Sequence, residues 1–300
     1  MNLLITGAWQ DAKANLERIR AMGHSTVFLQ QEKDPLPCAA DWVEGVICNG
    51  LFLHHPIEQF SNLKYIQLTS AGYDRVPMEQ IRQRGITIHN ARGVYSVPMA
   101  EYALGGVLEL YKEFSAFREN QKQHLWEKRR NLRELSGKTV CIVGCGSVGS
   151  ECAGRFAAFG CKVTGVATSR REQPFFDAVE EETALDALLA EADVVILTVP
   201  LTDKTHHLLN AQRLAVMKPG AVLVNISRGP VVDTRALEEK LKQNHLAGAV
   251  LDVFEEEPLS PDSPLWDLKN VIITPHNSFV GDGVRGRLAT IILNALADLE

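Results

Sequence analysis

Three ionisable side chains each follow an apolar run: Arg228 after AVLVNIS, Glu257 after GAVLDVFEE and His276 after VIITP. A guanidinium grips a carboxylate with a planar fork. An imidazole exchanges a proton near neutral pH, and a carboxylate on its second ring nitrogen favours the charged ring. Upstream, Gly144-Cys145-Gly146-Ser147-Val148-Gly149 has the spacing G-x-G-x-x-G. In such a turn the first glycine permits the bend, the second admits a pyrophosphate to the backbone, and the third lets helix pack on strand. The N–H groups of Ser147 and Val148, opening the following helix, then face the phosphates. With a reduced dinucleotide bound at that turn, these groups can pass its hydride and a proton to a small 2-keto acid. Separately each has a plainer reading: Arg228-Gly229 as a turn, Glu257 as one of three solvated acids, His276 as a structural ring.

The three side chains converge only if their apolar runs are neighbouring parallel strands, because ligands of an open parallel sheet lie beyond the strands' carboxyl ends. From Lys138 the chain alternates TVCIVG, KVTGVA, ADVVILTVP, GAVLVNIS, LAGAVLDVF and NVIITP with helical pieces at 148–159, 184–190, 211–216 and 234–243. Runs so rich in Val, Ile and Leu suit strands covered on both faces. Earlier, NLLIT, STVFL, WVEGVIC, LKYIQL and GITIHN alternate with helical pieces at 12–22 and 78–84. This is a second βα series. The expected fold is α/β, with two doubly wound parallel-sheet domains. A Rossmann-type dinucleotide-binding domain at 97–282, with six strands, is inserted into a flavodoxin-like substrate domain made of 1–96 and 283–300.

One long helix is expected from Ser96 into the 120s, with Pro98 in its first turn. Its stretch MAEYALGGVLELY is apolar almost all round, which predicts burial by more than one neighbour. Gly105 and Gly106 each cost roughly 1 kcal/mol of helix propensity, which close helix–helix approach would explain.

Composition narrows the function. Three hundred residues exceed what one core usually organises, and an apolar share of 45% is ordinary for a globular chain. The formal net charge of -6 argues against nucleic acid as a partner. No apolar stretch is long enough to span a bilayer, and MNLLITGAWQD reads as a first strand, not a signal peptide. The six cysteines include no C-x-x-C pair, as expected of reduced thiols in the cytoplasm. No metal site is expected. His54-His55 and His206-His207 are adjacent pairs whose side chains diverge on regular elements, without the i, i+4 spacing of zinc ligands.

Cofactor choice turns on the end of KVTGVA. An acid there binds the ribose 2′-hydroxyl of NAD, whereas arginine accommodates the 2′-phosphate of NADP. The chain reads Ala167-Thr168-Ser169-Arg170-Arg171, with no acid before Glu172. Thr168 and Ser169 can donate hydrogen bonds, and Arg170 or Arg171 charge-assisted ones. NADP is therefore preferred. NAD stays possible, since both arginines can equally be read as solvated.

The segments TSAGYDRV, GVYSVPMAEYAL, KTVCIVGCGSVGSECA, VPLTDKTHHLLN, MKPGAVLVNISRGPVVDTRAL, AVLDVFEEEPL and VIITPHNS together resemble the D-isomer-specific 2-hydroxyacid dehydrogenase family. The likeness is to its glyoxylate/hydroxypyruvate reductase-like or phosphoglycerate dehydrogenase-like members. It implies a homodimer built through the cofactor domain, with Arg228, Glu257 and His276 as the catalytic set. It places the backbone N–H groups of Ala71 and Gly72, with Arg228, on the substrate carboxylate, Pro200 and Thr205 beside the cofactor, and Asp252 near the nicotinamide carboxamide. Two positions depart from the family pattern: Ala167 where many members carry an acid, and Asn277 after the histidine. The function expected is hydride transfer between NADP(H) and a small 2-keto acid or D-2-hydroxy acid of the glyoxylate or hydroxypyruvate kind, with His276 as general acid/base. The alternative is a dinucleotide-sensing regulatory protein on the same fold.

Overall fold

Short runs of β-branched and aliphatic residues open the chain as strands. In the computed structural model, which describes residues 1–299, β1 (Asn2–Thr6), β2 (Ser25–Leu29), β3 (Gly45–Cys48), β4 (Tyr65–Leu68) and β5 (Thr87–His89) form a sheet of order β2-β1-β3-β4-β5. Every pairing in it is parallel. Helices α1 (Ala12–Ala21) and α2 (Met78–Gln83) connect strands, and a helix over Val284–Ala297 belongs to the same unit. That late helix buries Leu288, Ile292 and Leu296 in one cluster with Leu3, Ile5 and Trp9. A bidentate pair of Arg285 with Asp11 ties its first turn to the start of α1. The first unit is thus Met1–Tyr95 together with the stretch from Gly281 onward, and the second, Ser96–Val280, interrupts it in sequence.

The second unit runs α3 (Ser96–Lys112), α4 (Phe114–Lys122), β6 (Thr139–Val143), α5 (Ser147–Ala158), β7 (Lys162–Ala167) and β8 (Ala178–Glu181). It continues α6 (Leu185–Glu191), β9 (Val194–Leu197), α7 (Ala211–Val216), β10 (Val222–Asn225), α8 (Thr234–Lys242), β11 (Gly248–Leu251) and β12 (Val271–Ile273). Its sheet has the order β12-β11-β10-β9-β6-β7-β8. All pairings are again parallel. Seven strands stand where six were expected. The extra one, β8, reads AVEE and forms an edge, and with acids at half its positions it lacks the apolar signature.

The expected long helix is two helices. Glu113 takes the left-handed conformation at φ 52° and ends α3 before α4 begins. Glycine or asparagine usually marks such a helix stop, so no sequence signal announced it. The apolar girth of α3 is absorbed within the second unit, where Ala103, Val107 and Tyr111 pack with Cys152, Phe156 and Val250. A Cβ at Gly106 would stand 2.7 Å from Val250 Cγ1, so the close approach is helix on strand β11, not helix on helix. Nothing in the structure explains Gly105. At the amino end of the sheet, Asp193 accepts from the Thr139 N–H at 3.0 Å and from Lys218 Nζ at 2.8 Å.

Candidate active site

The glycine turn lies where the order of the second sheet reverses, between β9 and β7, the usual ligand position in such sheets. Gly144 follows β6 with φ +105°, a conformation that L side chains rarely adopt. Thr198, at the end of β9, donates to the Gly144 carbonyl at 2.6 Å. A Cβ at Gly149 would lie 2.0 Å from that same carbonyl. Packing therefore requires Gly144 and Gly149. Gly146 differs, because a Cβ there would meet no protein atom within 4 Å. Helix α5 has no side-chain cap, and among the described residues nothing accepts from the N–H groups of Ser147 and Val148. Uncapped amides at a helix's positive end, beside a glycine that packing does not demand, fit a dinucleotide pyrophosphate.

Beyond β7, Thr168, Ser169 and Arg170 are exposed. Arg170 reaches Glu180 on β8 only at 3.4 Å. Arg171 instead donates to the Cys145 carbonyl at 3.2 Å, where Gln173 also donates at 3.1 Å. Arg171 thus braces the glycine turn, while Arg170 extends outward. Pro200 and Thr205 share the loop after β9, with Thr205 Oγ1 donating to the Pro200 carbonyl at 2.7 Å.

Arg228 is set by the end of β10. The Asn225 side chain accepts from Ser227 Oγ at 2.7 Å and donates to the Arg228 carbonyl at 3.2 Å, closing a tight turn. Gly229 then passes so near the next loop that a Cβ would fall 1.8 Å from the Phe254 carbonyl carbon. This approach lays the arginine's segment against the segment that leads to Glu257. The Arg228 Nη1 donates to the Ser227 carbonyl at 2.8 Å.

Glu257 and His276 meet. One carboxylate oxygen accepts from the Phe254 N–H at 3.1 Å, and the other lies 2.8 Å from His276 Nδ1. The carboxylate can only accept, so Nδ1 carries the hydrogen and Nε2 is left to exchange a proton. Both side chains remain over one-third exposed, at 39% and 37%, so the ring is within reach of a small substrate. The imidazole and the Phe279 ring meet nearly perpendicular, with centroids 6.1 Å apart.

His276 adopts φ +51°, sparsely populated for a non-glycine residue. The fully buried Asp252 over-determines that conformation. Its carboxylate accepts from Thr274 Oγ1 at 2.6 Å, from the Asn277 N–H at 2.7 Å and from the Ser278 N–H at 2.9 Å. Its carbonyl takes the His276 N–H at 2.8 Å. Tyr102 on α3 is hydrogen-bonded in turn to Thr274 Oγ1. Sequence reading did not foresee this work for Asp252. It missed Thr198, Asn225, Thr274 and Tyr102 altogether, although the first three are polar residues at the ends of apolar runs.

Ala71 and Gly72 lie in the first unit, in the loop after β4, and their N–H groups take no bond among the described residues. In that unit the sheet order reverses at β1 and β3. The position is filled by the protein's own Glu32, which accepts from Thr6 Oγ1 at 2.8 Å and from the N–H groups of Asn49 and Gly50, each at 2.7 Å.

One expectation is corrected. The rings of His206 and His207 do not diverge; their centroids are 4.2 Å apart, because the pair sits in an irregular loop with His207 at φ 47°. His207 faces Glu255 at 3.4 Å. Among the described residues no cluster could hold a metal ion, and no helix is long and apolar enough to cross a membrane. All six cysteines are unpaired, and burial pushes the Cys145 thiol up to about 11.

The family model described as "D-isomer specific 2-hydroxyacid dehydrogenase, NAD binding domain" matches residues 104–278. A glyoxylate reductase of Thermofilum pendens is 38% identical over 236 residues, covering 77% of this chain and 70% of the relative. A D-isomer-specific 2-hydroxyacid dehydrogenase family protein of Aeromonas salmonicida has a similar structure, with a TM-score of 0.86 and 34% identity over 98% of this chain and 93% of that one. An NADPH-dependent glyoxylate/hydroxypyruvate reductase of Sinorhizobium meliloti, solved with citrate, is similar with a TM-score of 0.81 and 27% identity, over 97% and 91% of the two chains.

Proposed function

The chain belongs to the D-isomer-specific 2-hydroxyacid dehydrogenase family and is an NAD(P)-dependent oxidoreductase, and from that premise we propose that it reduces a small 2-keto acid, glyoxylate or hydroxypyruvate, with NADPH as preferred donor. The observation that carries the reading is the His276–Glu257 pair, a ring nitrogen held by a carboxylate while the opposite nitrogen stays available. Bound, the reduced nicotinamide supplies a hydride. His276 Nε2 gives its proton to the substrate carbonyl oxygen, so the keto group becomes a hydroxyl and Glu257 keeps the ring oriented throughout. Arg228 takes the substrate carboxylate with its fork. The N–H groups of Ala71 and Gly72 act on that carboxylate too. Residues 1–96 with 283–300 form the substrate domain and residues 97–282 the dinucleotide-binding domain.

Gly144, Gly146, Ser147, Val148 and Gly149 hold the pyrophosphate. Pro200 and Thr205 border the cofactor, and Asp252 serves the carboxamide as well as the histidine loop. Ala167 removes the charge that would repel a 2′-phosphate, and the outward Arg170, with Thr168 and Ser169, is free of the brace that engages Arg171. These features and the NADPH dependence in the name of the Sinorhizobium relative support NADP preference. The similarity to a named glyoxylate reductase supports the substrate class. Exposed Phe114 and Trp126, on and just after α4, support a homodimer joined through the dinucleotide-binding domain. Unpaired thiols fit a cytoplasmic setting.

The test is a steady-state screen of several 2-keto acids against NADPH and NADH. Turnover of glyoxylate or hydroxypyruvate with a lower KM for NADPH is expected. Background rates with every acid would overturn the reading in favour of a dinucleotide-binding regulator.

A further inference from the structure

The loop after β4 is held by an unusual run of bonds, all within the first unit. Four successive carbonyls are each taken by a donor. The Tyr95 hydroxyl donates to the Thr69 carbonyl. The Ala91 N–H donates to the Ser70 carbonyl at 2.9 Å, and Asn90 Nδ2 to the Ala71 carbonyl at 2.6 Å. Ser70 Oγ donates to the Gly72 carbonyl at 3.2 Å. In a trans peptide the C=O and the following N–H point opposite ways within one plane. Fixing the carbonyls of residues 69–72 therefore turns the N–H groups of residues 70–73 away from those donors. None of the four N–H groups takes a bond among the described residues. Successive outward N–H groups make an anion-accepting concavity, whereas a single carbonyl turned outward would repel a carboxylate.

One of these donors is a side chain whose orientation is itself fixed. Asn90 Oδ1 accepts from the Arg92 N–H at 3.2 Å, so the amide nitrogen must face the Ala71 carbonyl. We propose that Asn90, just beyond β5, is a positioning residue that sets affinity for the substrate carboxylate by holding the Ala71–Gly72 peptide with its N–H outward. The proposal rests on the 2-keto acid reading and adds to it the residue that keeps the carboxylate-binding loop in register. Tyr95 acts in the same way two peptides earlier. Burial raises its hydroxyl above the ordinary tyrosine range, which keeps it a donor.

Two variants test this. Asn90→Asp keeps the acceptor for Arg92 and loses the donor; Asn90→Ala removes both without adding charge. Each is assayed with glyoxylate and NADPH, titrated with oxamate by calorimetry in the presence of NADPH, and melted. Both should raise the KM for glyoxylate and the oxamate Kd by about tenfold or more, the size expected for one lost hydrogen bond to a charged ligand's cradle. The kcat should stay within about threefold and the KM for NADPH within about twofold. Unchanged glyoxylate KM and oxamate Kd would overturn the proposal. So would a parallel loss of NADPH affinity and melting temperature, the mark of a merely structural role. If the unaltered protein neither turns over a 2-keto acid nor binds oxamate, the 2-keto acid reading falls and takes this inference with it. If it does both and the variants match it, only the inference falls.

Discussion

After β6 the chain leaves backbone N–H groups open by leaving side chains out; after β4 it does so by bringing side chains in. In the first case Gly144 and Gly149 are demanded by contacts with Thr198 and with each other, and a helix amino terminus supplies the N–H groups. In the second, Asn90, Tyr95 and Ser70 hold carbonyls inward so that the next N–H groups face out. The glycine turn adjoins the sheet that also carries His276 and Glu257, a pair able to move a proton. Residues 69–72 of the loop after β4 carry no ionisable side chain. The contrast teaches a division of labour: proton transfer and cofactor affinity should respond to changes in the second unit, and substrate affinity to changes in the first.

The largest effect that can break this division is His276→Ala. It should lower kcat by about 10²- to 10⁴-fold, the usual worth of a positioned acid, while NADPH Kd, read by fluorescence titration, moves less than about twofold. An equal loss of both would mean that the ring supports the fold or the cofactor instead.

Next comes a pair inside the glycine turn. Gly149→Ala forces a methyl onto the Gly144 carbonyl and should cost about 1–3 kcal/mol of stability, roughly 2–4 °C of melting temperature per kcal/mol. Gly146→Ala meets open space, so its melting temperature should match the unaltered protein while NADPH affinity drops about tenfold. Calorimetric scanning and titration of both variants read this directly. Identical behaviour of the two would erase the distinction between a packing glycine and a ligand-facing one.

Arg170→Ala sharpens the cofactor side. NADPH KM should rise about tenfold, in line with losing a charge-assisted bond, with NADH KM unchanged. A rise for both would place the arginine elsewhere than at a 2′-phosphate.

The smallest effect lies at the opposite, amino end of the second sheet. Burial there acts to raise the Asp193 carboxyl, but the bonds from Lys218 and the Thr139 N–H outweigh it and hold the group below the usual carboxylate range. A carboxyl lowered in the folded state adds stability above its unfolded value, and that stability is lost as pH falls through the folded one. Asp193→Asn should therefore flatten the fall of melting temperature below about pH 4 and leave neutral-pH kcat/KM unchanged. A kcat/KM defect at neutral pH would show that the amino edge is coupled to the carboxyl edge.

Legibility in the sequence followed the physical origin of each feature. Gly144 and Gly149 were readable because sterics at a single position leave a glycine behind, and Gly146 because it completes the G-x-G-x-x-G spacing. The pairing of Glu257 with His276 was readable because both follow apolar strands whose parallel order could be inferred. Strand β8 was not, since AVEE earns its place by edge pairing with β7. Nor was the break at Glu113, where a carboxylate residue adopts a conformation that glycine normally signals. The web around Asp252 was hidden for a different reason. Tyr102 and Thr274 touch across 172 positions of sequence, and no local pattern encodes that meeting. Asn90 escaped because its value lies in the direction it turns one peptide, which residue type alone does not reveal.

Glu32 carries a consequence of its own. The first sheet holds a ready-made receptor for a small acid at its switch point, and the chain fills that receptor with a tethered acid of its own. Cutting the tether, as in Glu32→Ala, would strand one hydroxyl and two amides, and millimolar acetate added to the solvent should win back part of the lost melting temperature. The switch point of the first sheet is in this way riveted by a side chain of the same polypeptide.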